Sequence, residues 1–553
     1  MKEEKKSFSD IPLSTGETLK ELLLYEEIPS WWLVDVLINI DLNINIWRQR
    51  YLFKLIHQFL IDKCPTSIVL SSFVSKLLYR SIEYINGVDI TVESNSKHSL
   101  ILTPVSSGGW IKVGAENKHS STLKNPYYDD IYAKLSPNID IFTIYSSYPF
   151  PDTFKRYYSI KKKYAYPTTA LMNYWSWDIG HKITKAISHY KKIYARLEND
   201  TNWLEKISDL TGKSVHDILN VLKYHITCLL PCRIEYYLLL DRVIGRIKPD
   251  LLFLVAEHEA EGRCWIYIGK KYGVPVIALQ HGLILPDDPA YLQHHVNDIS
   301  KISSPHYEKL LSFPIPNLTL VWGKNEYDLL LTKAGYSSNQ LEIVGNPRYD
   351  KLFNISKLYS KEVFCQKYGI NLNDKLLLWP TQSHGHDINE TLEYTHEIFA
   401  AISEIQNITL IIKPHPVEGN TYIDIIREHL KSYRLNAVIM KNDTDTTEQI
   451  FVSDLVIIKN STVGQEAVAM HKPIIVLDYS ADPDAGNFVT EGVAKGVYEK
   501  GTLKNAILQL LDTDIDQEMN RATYIEKYMH KIDGFAAKRC EDNIFSLISD
   551  DAK

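Results

Sequence analysis

Six cysteines in 553 residues, about one per ninety, are too few for a disulfide scaffold and suit a chain kept in a reducing compartment. Cys228 and Cys232 stand four apart in an apolar run, a spacing that reads as core packing rather than a metal or redox pair. Long hydrophobic runs are missing as well. The longest, such as 251–256, fall far short of the roughly 20 residues a membrane-spanning helix needs. The charged opening from Met1 to Lys6 leads into Ser, Asp and Pro without an apolar centre, so no signal peptide is expected. Neither sign of charge dominates: 61 Lys+Arg against 68 Asp+Glu leave −7, which excludes a basic nucleic-acid coat and an acidic tail. No internal repeat and no low-complexity block stands out.

What is present is an ordinary globular composition, 45% hydrophobic and 23% charged, long enough for two to four domains at roughly 150 residues each. Residues 17–62 carry apolar side chains at three- and four-residue spacing and read as helices, with Trp31, Trp32 and Trp47 as core anchors. Residues 67–71 read as a short buried strand, followed by a helix over 74–84. The stretch 86–125 gives no clear pattern. A strand follows at 140–145, and 174–247 is mostly helical. Then a strand at 251–256, a helix over 262–272 and a strand at 274–279 form a βαβ unit, which implies a parallel sheet.

The second half repeats this grammar, with strands expected at 318–322, 341–344, 376–379, 409–412, 437–440, 454–458 and 474–477. The expected fold is α/β and GT-B-like: two Rossmann-like, doubly wound domains facing a cleft, with a helical N-terminal elaboration. The first domain is drawn at 1–310 and the second at 311–520, divided at the Pro-containing stretch from Phe313. Residues 521–553 form a C-terminal helix that packs back on the first domain.

In open parallel sheets ligands bind beyond the carboxyl ends of the strands, so the strand-to-helix loops hold the candidates. In the first domain these are Glu257, Glu259 and Glu261, then Gln280-His281-Gly282. Glutamate or His281 can act as a general base, although acids also favour a helix N-terminus for purely electrostatic reasons. Arg263 is close enough in sequence to hold one of the glutamates. In the second half the strand ends carry Gly345, Asn346 and Arg348, then Thr381 and Gln382, then Lys413, His415 and Pro416, and finally Ser461, Thr462 and Glu466. Ser461 and Thr462 open a helix whose unpaired N–H groups and dipole favour an anion, so this set reads as a phosphate site. Ser461 also fits a plain helix cap, and Arg348 also fits a pair with Asp350 or with a neighbouring helix. Asp443 and Asp445 have Asp-x-Asp spacing but sit in a polar turn, so no metal site is expected.

Gln280-His281-Gly282, Gly345-Asn346-Pro347-Arg348-Tyr349-Asp350, Lys413-Pro414-His415-Pro416, Ser461-Thr462 and Asp533 to Arg539 resemble, in that order, the GT-B enzymes that build bacterial surface polysaccharides. The resemblance covers about 248–544. The His-Gly, Pro-Arg-x-Asp and His-Pro elements are similar to those of teichoic-acid CDP-glycerol glycerophosphotransferases. The His-Pro and Ser-Thr pair is also similar to that of sialyl-, polysialyl- and capsular Kdo transferases, which use CMP-activated sugars. The acidic motif of the sialyltransferases is matched imperfectly by Glu259-Ala260-Glu261-Gly262. The Trp-His-Gly-Thr of the glycerophosphotransferases is replaced here by Gln280-His281-Gly282-Leu283.

The resemblance implies a donor nucleotide on the second domain, an acceptor on the first, and metal-independent transfer without a cofactor. The expected activity is a glycosyltransferase moving a sugar from a nucleotide-activated donor, with a CMP-linked acidic sugar favoured, by inversion, to a surface-polysaccharide or glycolipid acceptor. Capsule or lipopolysaccharide assembly fits this activity. The alternatives are a CDP-polyol phosphotransferase of teichoic-acid type and a UDP-sugar 2-epimerase-like enzyme. The chain is expected in the cytoplasm, at the inner face of the plasma membrane where its acceptor is lipid-linked, with no nucleic-acid partner. Basic and aromatic residues interleave at 155–164 and 182–196, a pattern that suits an anionic lipid surface.

Overall fold

The computed structural model describes residues 11–26, 28–34, 66–85, 99–105, 111–113, 122–125, 128–135, 139–146, 151–284, 291, 313–382, 388–415, 418, 420–441, 444–459, 461–480, 484, 486–512 and 518–550. The helices expected at 35–62, with Trp47, and the residues Pro416 and Asp443 lie outside this set.

The first sheet is built from β1 (Ser99–Val105), β2 (Ile139–Tyr145), β3 (Thr168–Ala170), β4 (Leu251–Val255), β5 (Val276–Leu279), β6 (Leu318–Val321) and β7 (Leu341–Ile343). Its strand order is β7-β6-β5-β4-β1-β2-β3, and every pairing is parallel. The second sheet contains β8 (Lys375–Pro380), β9 (Ile408–Lys413), β10 (Asn436–Ile439), β11 (Leu455–Ile458), β12 (Ile474–Leu477) and β13 (Lys495–Val497). Its order is β10-β9-β8-β11-β12-β13, again all parallel. Both sheets thus start in the middle, run to one edge, and return to build the other. That doubly wound order leaves a crevice where the direction reverses, between β1 and β4 and between β8 and β11. Central strands such as β5, β11 and β12 are buried at every position, which explains their uninterrupted apolar sequences.

The helices that matter below are α1 (Thr66–Ile85), α2 (Asp129–Leu135), α3 (Ala260–Tyr272), α4 (Lys324–Lys333), α5 (Ile388–Ser403), α6 (Thr446–Val452), α7 (Thr462–Ala469), α8 (Glu518–Met529) and α9 (Ala536–Asp550). Tyr524, Tyr528 and Met529 of α8 share a core with Tyr349 and Phe488 of the second lobe. In α9, Ala537, Cys540 and Ile544 join Ile131, Tyr132 and Phe253 in the core of the first. The chain therefore crosses between lobes twice, once after β7 and once between α8 and α9.

Two expectations are corrected. The boundary at 310/311 does not coincide with the change of sheet. Leu318 pairs with Ile277 and Thr319 with Leu341, so β6 and β7 extend the first sheet, and the crossing begins only after Ile343. Proline around 314–316 does not loosen the chain there. Phe313 packs edge-on against Trp31 at 4.5 Å and lies under the Arg263 guanidinium at 4.0 Å. The strand expected at 67–71 is part of α1. A short apolar run does not separate strand from helix by itself. The inward face of α1 (Ser72, Ser75, Tyr79, Glu83) follows helical spacing, and Leu70, Val74 and Leu77 face outward.

Cys228 is buried and Cys232 half-buried, both as free thiols in the helical core. In the basic helix Pro151–Lys163, Tyr157 and Ile160 point inward, while Lys155, Arg156, Tyr158 and Lys162 are exposed. Among the described residues no helix is long and apolar enough to cross a membrane.

The junction of the lobes carries a buried carboxyl. A Cβ on Gly323 would lie 2.5 Å from the Lys527 carbonyl, so the start of α4 is pressed against the end of α8. Glu326, in the first turn of α4, is 1% exposed there, and burial raises its pKa to about 8. The folded chain holds that proton while the unfolded chain has released it, so stability falls as pH rises from about 4.5 through about 8. Wild-type protein is therefore expected to melt lower at pH 9 than at pH 6. Glu326→Gln is expected to remove a penalty on the order of 3–5 kcal/mol at pH 9, read by denaturant titration at both pH values. Equal pH dependence in the two proteins would show that Glu326 ionises freely.

Candidate active site

The second-lobe crevice is framed by loops leaving β8, β9 and β11. Ser461 has extended backbone angles, and its Oγ accepts from the Val463 N–H at 3.2 Å, so it caps α7. A Cβ on Gly464 would fall 2.5 Å from the Phe488 ring and 2.7 Å from Ile458, so the first turn of α7 is seated directly on β11. Thr462 opens that helix. The Val463 and Gly464 N–H groups are both taken by Ser461, so what this end of α7 offers a phosphate is the helix dipole and the hydroxyls of Ser461 and Thr462.

Around this point the structure separates frame from surface. Thr381 is buried: its N–H donates to the Lys413 carbonyl, its hydroxyl donates to Glu418, and its Oγ1 accepts from the His415 N–H at 3.1 Å. Lys413, 4% exposed, directs Nζ to the carbonyls of Lys441 at 2.9 Å and Thr444 at 3.1 Å. Both residues thus brace loops rather than offering groups to the crevice, contrary to the expected phosphate contacts. Their bracing sets the backbone of His415, which is partly accessible. Gln382 accepts from the Lys459 N–H at 3.0 Å and ties the β8 and β11 ends together. Asp445 caps α6, accepting from the Thr447 N–H, and also accepts from the Tyr359 hydroxyl and pairs with Lys351.

The loop after β7 links the lobes. Gly345 adopts φ +79°, a left-handed conformation that a side chain disfavours, and Asn346 Oδ1 accepts from the Arg348 N–H at 3.1 Å. Asp350 caps α9 through the N–H groups of Ala536 and Ala537 at 2.8 and 2.9 Å. Arg539 returns the contact: its Nε donates to the Val344 carbonyl at 2.7 Å and its Nη1 to Asp533 at 2.9 Å. The Gly-Asn-Pro-Arg-Tyr-Asp and Asp533–Arg539 motifs are therefore two halves of one clamp. Arg348 projects from this clamp to Glu466 of α7, with Nη2 3.6 Å from Oε1, instead of pairing with Asp350. Glu466 is 4% exposed and also accepts from Thr447 at 3.0 Å.

At the first-lobe rim Ala256 has φ +67°, a strained angle for a residue with a Cβ, and the chain turns sharply after β4. Gly262 makes that turn possible, because a Cβ there would lie 2.6 Å from the Ala256 carbonyl. Glu257 is 2% exposed, and burial raises its pKa to about 7. Glu261 is held by an ion pair with Arg233. Arg263, expected to hold a glutamate, donates to the Trp32 carbonyl at 2.9 Å. Glu259 stands exposed at the cap position of α3.

Gln280 is buried, accepting from the Trp322 N–H at 2.7 Å and donating to the Gly282 carbonyl at 2.8 Å, which fixes the loop under His281. The His281 side chain reaches solvent. The protein packed around the imidazole, and after it the Arg348 charge, hold its pKa below the usual histidine value.

Of the expected residues, the structure brings Arg348 to Glu466 on the helix that Ser461 and Thr462 open, and the Arg348 charge bears on His281. The structure withdraws Glu257, Glu261, Thr381 and Lys413 into packing or ion pairs. Sequence reasoning missed Arg233, which has no local signal because it lies 28 residues from its partner. It also passed over Lys459, which sits in the same strand-end loop as Ser461. Among the described residues no group of three or more His, Cys, Asp or Glu is arranged to hold a metal ion.

A structure of the wall teichoic acid polymerase TagF soaked with CDPG aligns over 90% of this chain and 99% of its own, at 14% identity and a TM-score of 0.47. UDP-GlcNAc 2-epimerase from Neisseria meningitidis, bound to UDP-GlcNAc, aligns over 81% and 100%, at 14% identity and a TM-score of 0.46. The epimerase from Methanocaldococcus jannaschii aligns over 81% and 99%, at 13% identity and a TM-score of 0.47. No curated protein matches by sequence. The family profile of CDP-glycerol:poly(glycerophosphate) glycerophosphotransferase matches residues 263–546, which is 284 of the 553 and spans His281, Arg348, His415, Ser461, Glu466 and Arg539. The chain belongs to the CDP-glycerol glycerophosphotransferase family, and it is a transferase that uses a nucleotide-activated donor.

Proposed function

We propose that the protein transfers a polyol phosphate from a CDP-activated donor to a hydroxyl of a cell-surface polymer. This reverses the order of the two cytidine readings, because the family match favours a CDP-polyol over a CMP-linked acidic sugar. The observation that carries the reading is the position of Arg348, which leaves the clamp after β7 and reaches Glu466 of α7, the helix that Ser461 and Thr462 open.

In this reading the CDP phosphates rest at the start of α7, against Ser461 and Thr462, with His415 beside them. His281 is neutral at pH 7 because its pKa is lowered, so it can accept a proton. The acceptor hydroxyl gives its proton to His281, and its oxygen forms a bond to the phosphorus that carries the polyol. The bond from that phosphorus to CMP breaks, and CMP leaves. The charge gathering on CMP is met by the α7 dipole, the Ser461 and Thr462 hydroxyls and the Arg348 guanidinium. His281 lies inside the family-matched segment and the three glutamates lie outside it, which supports His281 as the base.

Thermal shift with CMP, CDP, UDP and GDP tests the donor. Cytidine nucleotides at 100 times Kd are expected to stabilise the protein by about 2.7 kcal/mol, and His415→Ala to weaken that effect. Stabilisation by UDP alone would overturn the cytidine assignment.

A further inference from the structure

The outer edge of the first sheet carries a surface that the transfer chemistry does not use. α1 lies at that edge: its Glu83 accepts from the Thr169 hydroxyl of β3, the strand at the opposite end of the sheet from β7. Leu70, Val74, Leu77 and Leu78 recur on α1 at helical spacing and form an outward apolar stripe, with Leu70 61% exposed. Phe73 stacks on Trp177 at 5.2 Å, which brings that indole, 58% exposed, to the side of the stripe. Apolar side chains gathered on the surface in this way mark a contact site rather than ordinary scatter.

The charge around the stripe is of one sign. Two helices pack against α1: Pro151–Lys163, where Tyr157 meets Tyr79 at 5.1 Å, and Trp177–Glu198, where Gly180 faces Val69. Lys155, Arg156 and Lys162 are exposed on the first, and Lys182 and Lys185 on the second. The first helix holds five Lys and Arg against one acid, Asp152. Glu83, the one acid of α1, is buried under the Tyr157 and Thr169 hydroxyls, and Asp178 is paired with Arg242. Tyr158 is exposed beneath Lys162, whose Nζ lies 4.6 Å from the ring centre.

An apolar stripe bordered by cations, with Trp and Tyr at its margin, matches the boundary between headgroups and acyl chains of an anionic bilayer. A second copy of the chain matches it poorly, since a twofold contact would set these like charges against one another. We infer that the β3 edge of the first lobe docks on an anionic lipid surface, with Leu70, Leu77 and Trp177 entering the interface and the neighbouring lysines on the headgroups. The two basic stretches noted in the sequence thus border the contact, and the element that enters the lipid is α1, whose beginning reads in sequence as a buried strand. The inference is independent of which nucleotide the second lobe takes.

Co-sedimentation of the full chain with vesicles tests it, using phosphatidylcholine alone and equal parts phosphatidylglycerol and phosphatidylcholine. Wild-type protein is expected to bind the mixed vesicles at least about tenfold more tightly than the neutral ones. The double variant Lys155→Glu, Lys162→Glu is expected to lose that preference, and Leu70→Gln, Leu77→Gln to weaken binding to the mixed vesicles about tenfold. All four positions are exposed, so both variants are expected to melt as wild type does. Brominated acyl chains are expected to quench the emission of wild-type protein more than that of Trp177→Phe. Absent binding, or equal binding to both kinds of vesicle, overturns the inference. So does a Leu70→Gln, Leu77→Gln protein that binds as wild type does, because charge alone then holds the chain. A wild-type dimer in solution that the same variant dissociates would assign the stripe to a second copy, and would overturn it as well.

Discussion

His281→Ala is expected to lower kcat by about 10²–10⁴ while leaving CDP affinity within twofold, because the imidazole acts on the acceptor proton and not on the nucleotide. Transfer of labelled polyol phosphate into polymer measures the first effect and calorimetry the second. The comparison that decides the base is Glu259→Gln. Glu259 is the rim glutamate that remains exposed, since Glu257 is buried and Glu261 is paired with Arg233. Its replacement is expected to cost less than about threefold in turnover, as surface changes away from the chemistry usually do. A large loss with Glu259→Gln and a small one with His281→Ala would move the base to Glu259.

Arg348→Gln is expected to have two separable effects. Removing the guanidinium takes away a charge-assisted contact to the departing phosphate, worth about 1.5–3 kcal/mol, or roughly 10- to 100-fold in kcat/KM. It also removes the positive charge that lowers the His281 pKa. The imidazole then titrates closer to its usual value, so it becomes protonated, and inactive as a base, at a higher pH. The acid limb of the pH–rate profile therefore moves upward in the variant. Arg348→Lys keeps the charge and loses the fork, so it is expected to retain the acid limb while losing part of the rate. An unshifted limb in Arg348→Gln would mean that Arg348 does not act on His281.

Much of the scaffold was legible because buried parallel strands are apolar along their whole length. β4, β5, β11 and β12 could be read from that property alone, and β8 and β9 from their apolar centres. The edge strands β3 and β13, Thr-Thr-Ala and Lys-Gly-Val, carry no such signal and were not anticipated. The lobe boundary was misplaced because β6 and β7 look the same in sequence whichever sheet they join, and pairing is decided by contacts far along the chain.

The site was legible to the level of loops, since strand ends in doubly wound sheets converge. Side-chain direction was not. Lys413 and Thr381 have phosphate-binding chemistry, but the adjoining loop carbonyls and Glu418 take up their polar groups. Asp350 and Arg539, nearly two hundred residues apart in sequence, lock one clamp from which Arg348 reaches Glu466, a pairing that contacts far along the chain decide.

The most direct measurement is a crystal structure of the protein with CDP. A diphosphate at the start of α7, within hydrogen-bond reach of Ser461 and Thr462 and facing His281 across the gap, is the predicted result. A nucleotide held elsewhere, or one whose phosphates point away from His281, would contradict the division of labour between the two lobes.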